Sequence, residues 1–303
     1  MTTRIRRAVA MAAAFMALGA GLAACGSGDD DSSSSGGDKS ITLGIIPSWT
    51  DGLSTAYLWK EILTQEGYEV EIQDIADAAP LYTGVAKGDV DVYPSAWSEV
   101  THKAYMDKYG DDLEDLGAYY EGASLTLAVP EYSKITSIED LPKFSDELDG
   151  KIIGIEPGAG LTKTTKESVI PEYELDKDFT LVESSTTAML AELKKAIKDQ
   201  REIVVTLWRP FWANAEFKVK DLEDPKGAMG ESEALHAIAT KGFSDENPEV
   251  AKMFANFKLD DETYGSLEKS VVDAYDEDKE AGVEAAVKTW LEENPDFVEN
   301  LKK

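Results

Sequence analysis

The chain has 303 residues and sets 59 acidic side chains against 30 basic ones, a net charge of −29 at neutral pH. That balance argues against nucleic acid, whose phosphates must be met by lysine and arginine, and against a polybasic membrane contact. One cysteine, Cys25, and two histidines, His102 and His236, rule out internal disulfides and a Cys–His pair, and neither a metal nor a cofactor is expected.

In chain order, Arg4, Arg6 and Arg7 precede the apolar run "AVAMAAAFMALGAGLAA", which reads as a signal peptide over 1–24. The run is short for a membrane span, and Gly19 and Gly21 weaken it as a helix. It ends in "LAAC", which resembles the bacterial lipobox and makes Cys25 the expected lipidated first residue of an exported, membrane-anchored protein. "GSGDDDSSSSGGDKS" then forms a flexible tether, so 25–40 is the lipidated cysteine and linker.

The body opens with the strand "ITLGII" (41–46) and a helix over 54–67 ended by Gly67. "EVEIQDI" is a strand, "PLYTGVAKG" a short helix, "VDVYP" a strand and "EVTHKAYMDKYG" a helix. This βαβαβα order is that of an open, largely parallel sheet. "SLTLAVP" (124–130) adds a strand before a polar stretch. A second cycle follows: "KIIGIEPGAG" (151–160), a helix near 161–170, "FTLVE", "TAMLAELKKAIKDQ" and the strand "EIVVTLW" (202–208). "ALHAIATKGF" (234–243) is strand-like at first, and the rest is helical. The expected architecture is α/β with two lobes, 41–127 plus 236–303 and 128–235. A hinge of two crossing strands would join them, and ligands would sit in the cleft between.

Of six tryptophans, Trp59 and Trp290 fall at apolar-face spacing inside helices and are expected in the core. Trp49, Trp97 and Trp208 instead follow strands closely, in "GIIPSWTD", "VYPSAWSE" and "VVTLWRP". Each alone reads as core, but three in equivalent positions across two lobes point to one crevice. Converging indole faces attract a cation that cannot be hydrogen-bonded, and a quaternary ammonium is such a cation. The Gly-rich turn of "GIEPGAGLTK" leads into a helix start at Gly160–Leu161, where free amides and the helix dipole make an anion site. Neither GKS/GKT nor GxGxxG spacing is present to favour a nucleotide. His102, five residues after Trp97, can donate to the same anion, although its spacing alone favours a histidine on a helix surface.

Over about residues 41–258 the sequence resembles the glycine betaine/proline betaine-binding proteins of ABC importers. The blocks that carry this are "DVDVYPSAWSEVTHKAYMDKY", "YYEGASLTLAVP", "KIIGIEPGAGLTK", "LVESSTTAMLAELKKAI", "IVVTLWRPFW" and "LEDPKGAMGESEALHAIATKGF". The resemblance implies a two-lobe periplasmic-binding-protein-like fold of type II and delivery of an osmoprotectant to a permease. It implies a three-tryptophan prism of Trp49, Trp97 and Trp208 around the trimethylammonium. The carboxylate would be held by the amides of Gly160 and Leu161 and by His102.

There are departures. Phe211 stands where many relatives have histidine. Asp51, two residues after Trp49, resembles choline-binding relatives in which an acid at that offset meets the ligand hydroxyl. Helix capping or solvent exposure is the plainer reading of Asp51. Choline and carnitine stay open as ligands, although choline has no carboxylate for His102 and the Gly160–Leu161 turn. Lys163 and Trp212 are secondary site candidates, and Arg209 lies near them in sequence. An enzyme acting on a small zwitterion is the rival class, but no GxSxG nucleophile turn is present.

Overall fold

The computed structural model describes residues 39–303, apart from the side chains at 276–280. The expected signal peptide, Cys25 and most of the linker lie outside the described residues.

Strands and helices alternate from the start: β1 Ser40–Ile45, α1 Thr50–Gln65, β2 Glu69–Asp74, α2 Ala78–Lys87, β3 Val92–Ala96 and α3 Lys103–Tyr109. Gly44 lets β1 be covered closely, because a Cβ there would lie 2.6 Å from Leu81 and 2.8 Å from Val90. α1 is buried nearly all round, with Leu58, Trp59 and Ile62 fully enclosed, since it lies against both the sheet and the C-terminal helical segment. α2 is closed by Asp77, whose carboxylate accepts from the Ala78 N–H, and by Gly88 in the left-handed region.

β4 then runs from Leu113 to Pro130, far longer than the strand expected at 124–130. The unread half, "LEDLGAYYEGA", contains Gly117 and Gly122 at positive φ and several register shifts against its neighbour. Those bulges break the two-residue alternation by which a strand is legible. The second cycle follows: β5 Lys151–Ile153, α4 Gly160–Thr164, β6 Thr180–Val182, a helix Thr186–Lys198, β7 Val205–Arg209 and β8 Val219–Asp221. α4 continues through a π turn at Thr165–Val169 to Glu172. β9, Glu233–Thr240, precedes the helices Pro248–Asn256, Asp261–Glu293 and Asp296–Leu301.

The strands bond in the order β2-β1-β3-β9-β4-β7-β5-β6, with β8 also on β4. β2-β1-β3 and β7-β5-β6 are parallel sets, joined through antiparallel β9 and β4. β4 pairs with β9 along Leu113–Ala123 and with β7 along Ser124–Ala128, so one strand serves both halves of the sheet. The Trp290 indole N–H donates to Ser266 Oγ at 2.9 Å. A straight helix would hold residues that far apart by about 36 Å, so the Asp261–Glu293 segment bends back on itself.

Candidate functional site

The C-terminal ends of β1, β3, β5 and β7 face one another across the cleft, the position at which open α/β sheets take ligands. Between them lies a small cavity, with about 330 Å³ of non-atom space when the solvent at its mouth is included. Trp49, Trp97, Trp208, His102, Gly160 and Leu161 all line it, and so do Asp51, Thr101, Leu125, Ile155 and Ala159.

From the first half, Trp49 sits at the N-cap of α1 because that helix begins at Thr50, four residues before the expected start. Thr50 and Asp51 were unreadable as helix because their burial is tertiary: the Thr50 hydroxyl donates to Glu268 Oε1 at 2.5 Å from the distant C-terminal segment. The Trp49 ring lies nearly parallel to His102, with centroids 5.8 Å apart, and its N–H donates to Glu156 Oε2 at 3.2 Å. Trp97 donates its indole N–H to Asp51 Oδ2 at 3.2 Å, and Ser95 Oγ donates to the same oxygen at 2.6 Å.

Asp51 is 2% exposed, which corrects the reading of it as a solvent-facing acid, and it sits in the first turn of α1. Burial raises its carboxyl above the ordinary aspartate range, and the bonds from Ser95 and Trp97 act in the opposite sense. Glu268 is pushed up to about 8, again by burial.

His102 is likewise not a helix-surface residue. It is 2% exposed, with Nδ1 3.1 Å from the Tyr82 hydroxyl, and burial lowers it to about 3, so the imidazole is neutral at pH 7. The turn carrying it is held by the buried Glu233 carboxylate. This accepts from the backbone N–H groups of Glu99, Val100 and Thr101 at 3.2, 2.9 and 3.0 Å, and from the Thr101 hydroxyl. Sequence reasoning missed Glu233, and its only trace is an acid heading the buried strand "EALHAIAT".

The second half contributes differently. Trp208 ends β7 opposite Leu125 of β4 and is backed by Phe211, whose ring is stacked on it at 4.0 Å. Gly160 and Leu161 begin α4, so their amides have no intrahelical acceptor. A Cβ on Gly160 would come within 2.4 Å of the Thr101 carbonyl oxygen and methyl, a close approach across the cleft that only glycine allows. Tyr105 also bridges the halves, donating its hydroxyl to the Gly158 carbonyl at 3.1 Å.

The secondary candidates other than Asp51 fall elsewhere. Lys163 is exposed, and Arg209 is paired with Asp221. Trp212 lines a separate groove with Tyr264 and Glu268. His236 pairs with Asp115 and Glu99, away from the cavity.

Residues 39–293 match the family model described as the substrate binding domain of an ABC-type glycine betaine transport system. A 154-residue stretch is 38% identical to the glycine betaine/carnitine transport binding protein GbuC of Listeria monocytogenes. It covers 50% of this chain and 49% of that one, so the match spans about half the relative's length. The structure of lactococcal OpuAC in its closed, liganded conformation with glycine betaine is 32% identical, with a TM-score of 0.79 over 88% of this chain and 100% of that one. An ABC-transporter choline binding protein in complex with choline is 28% identical, with a TM-score of 0.76 over 87% and 91%. The chain therefore belongs to the substrate-binding domains of ABC-type glycine betaine transport systems, a solute-binding family with a two-lobe α/β fold.

Proposed function

We propose that the protein captures glycine betaine, or a closely related betaine, in this cavity and presents it to an ABC permease for osmoprotectant uptake. The observation that carries the reading is that three buried indoles from both halves line one small cavity with His102 and the Gly160–Leu161 helix start. The indoles take the trimethylammonium, which has methyl groups and charge but no N–H. The two amides and the helix dipole take the carboxylate.

His102 acts as a neutral donor. Burial holds the Tyr82 hydroxyl well above its ordinary pKa, so it keeps its proton, and in the tautomer that serves an anion it donates that proton to Nδ1. The imidazole proton then resides on Nε2, free to meet an anion. Affinity for betaine is expected to stay level from about pH 5.5 to 8, because the imidazole does not titrate there. Three ring contacts and the carboxylate bonds, less ordering costs, put Kd near about 1 μM.

Asp51 supports a second reading. An acid lining the cavity suits the hydroxyl of choline, which the carboxylate of betaine does not need. Calorimetry with glycine betaine, proline betaine, carnitine and choline tests both. Betaine binding most tightly, with Asp51→Asn weakening choline at least about tenfold and betaine less than about threefold, is the expected outcome. Choline binding most tightly reverses the assignment. Recovery of chemically altered ligand after incubation would make the protein an enzyme.

We also propose export and anchoring through a lipidated Cys25. Cys25→Ser should release the protein into the medium, and unchanged membrane retention contradicts the anchor.

A further inference from the structure

We propose that Glu156 is a closure latch of the cleft and the positioning residue for Trp49. Glu156 follows β5 in "GIEPGAG" and is buried. Its carboxylate accepts four hydrogen bonds, and their distribution is the basis of the proposal. Oε1 accepts from Ser48 Oγ at 3.2 Å and from the Thr186 backbone N–H at 2.9 Å. Oε2 accepts from Trp49 Nε1 at 3.2 Å and from Thr186 Oγ1 at 2.9 Å. Each oxygen therefore holds one donor from its own half and one from the opposite half.

The own-half bonds do not depend on closure. Thr186 opens the helix Thr186–Lys198, whose positive end favours a carboxylate at that position. Glu156 thus stands aimed across the cleft before the lobes meet. The opposite-half bonds span the cleft and would be lost as the lobes part. One of them fixes the plane of an indole that walls the cavity, so closing and shaping the site are one event. Glu156 does not line the cavity, and its effect on ligand passes through Trp49. This role rests on the betaine reading only where ligand kinetics are concerned.

A double-mutant cycle isolates the pair. Glu156→Ala removes the acceptor, and Trp49→Phe keeps an aromatic wall without the N–H. Glu156→Gln is the milder substitute should the alanine variant fold poorly. In Gln the amide nitrogen must face either Trp49 Nε1–H or the Thr186 N–H, so one of those donors loses its acceptor. Stopped-flow tryptophan fluorescence with glycine betaine should give a dissociation rate raised about tenfold by Glu156→Ala, with the association rate changed less than about threefold. In the Trp49→Phe background the same substitution should change dissociation by less than about threefold.

A second readout needs no ligand affinity. Spin labels at exposed Glu71 and Lys194, one in each half, in a Cys25→Ser background, report the distance between halves. Glu156→Ala should move that distribution toward longer distances with and without betaine. An unchanged distribution overturns the latch, as do substitution effects that simply multiply. A wild-type protein that ignores betaine strikes the functional reading instead, and the label distances still decide the latch.

Discussion

The two halves of the cleft build their share of the cavity from different material. The first half supplies side chains whose orientation is set by buried carboxylates: Asp51 holds Trp97, Glu233 holds the turn bearing His102, and Glu268 holds the first turn of α1. The second half lines the cavity with backbone and one ring, Gly160 and Leu161 at a helix start and Trp208 stacked on Phe211, while its buried Glu156 reaches across to Trp49. Hydrogen-bonded acids give a fixed geometry at the cost of pH sensitivity, whereas backbone amides and stacked rings do not titrate. The contrast assigns pH dependence to the first half and tolerance to the second.

The largest test removes one wall from each half. Trp97→Ala and Trp208→Ala should each weaken betaine at least about tenfold in calorimetry. Trp97→Ala should also shift stability with pH, since it strips a donor from Asp51. Equal losses of affinity, with the pH profile of stability unchanged in both variants, would erase the distinction between the halves. Gly160→Ala follows, with an expected weakening of about tenfold, because the added methyl meets the Thr101 carbonyl and holds the cleft ajar. An alanine variant of full affinity would mean that the halves do not close this tightly around ligand.

Next comes thermal stability against pH. Glu268, raised from 4.5 to about 8, favours the folded state fully below its unfolded value, and that contribution is lost as pH rises from 4.5 toward 8. His102, lowered from 6.5 to about 3, acts oppositely, with stability present above 6.5 and lost as pH falls toward 3. His236, raised by Asp115 and Glu99, adds to the Glu268 slope above 6.5. Melting temperature should therefore fall between pH 6.5 and 8, and Glu268→Gln should remove most of that fall. An unchanged slope in the variant would show that Glu268 is ionised throughout. The smallest effect on binding is Trp290→Ala, expected to leave betaine affinity unchanged while costing about 3 kcal/mol of stability as a core deletion.

What was legible in the sequence follows the same division. The alternating strands and helices, and tryptophans placed just past strand ends, are local patterns, and they located both the fold and the walls of the cavity. The burial of the carboxylates was not legible, although the offset of Asp51 from Trp49 made it a candidate. Asp51 receives Ser95 from 44 residues away and Glu233 receives Thr101 from 132 away, so nothing in their own neighbourhoods marks them as buried. Only an assembled fold supplies enough donors to keep such acids out of water. The first half of β4 was hidden for a nearer reason, since Gly117 and Gly122 interrupt its alternation.

The most direct measurement is a crystal structure of the protein grown with glycine betaine. The account requires the ligand's three methyl groups packed against the faces of Trp49, Trp97 and Trp208, and its carboxylate against the Gly160 and Leu161 amides. Ligand density in the groove beside Trp212, or an empty space between the three indoles, would contradict it.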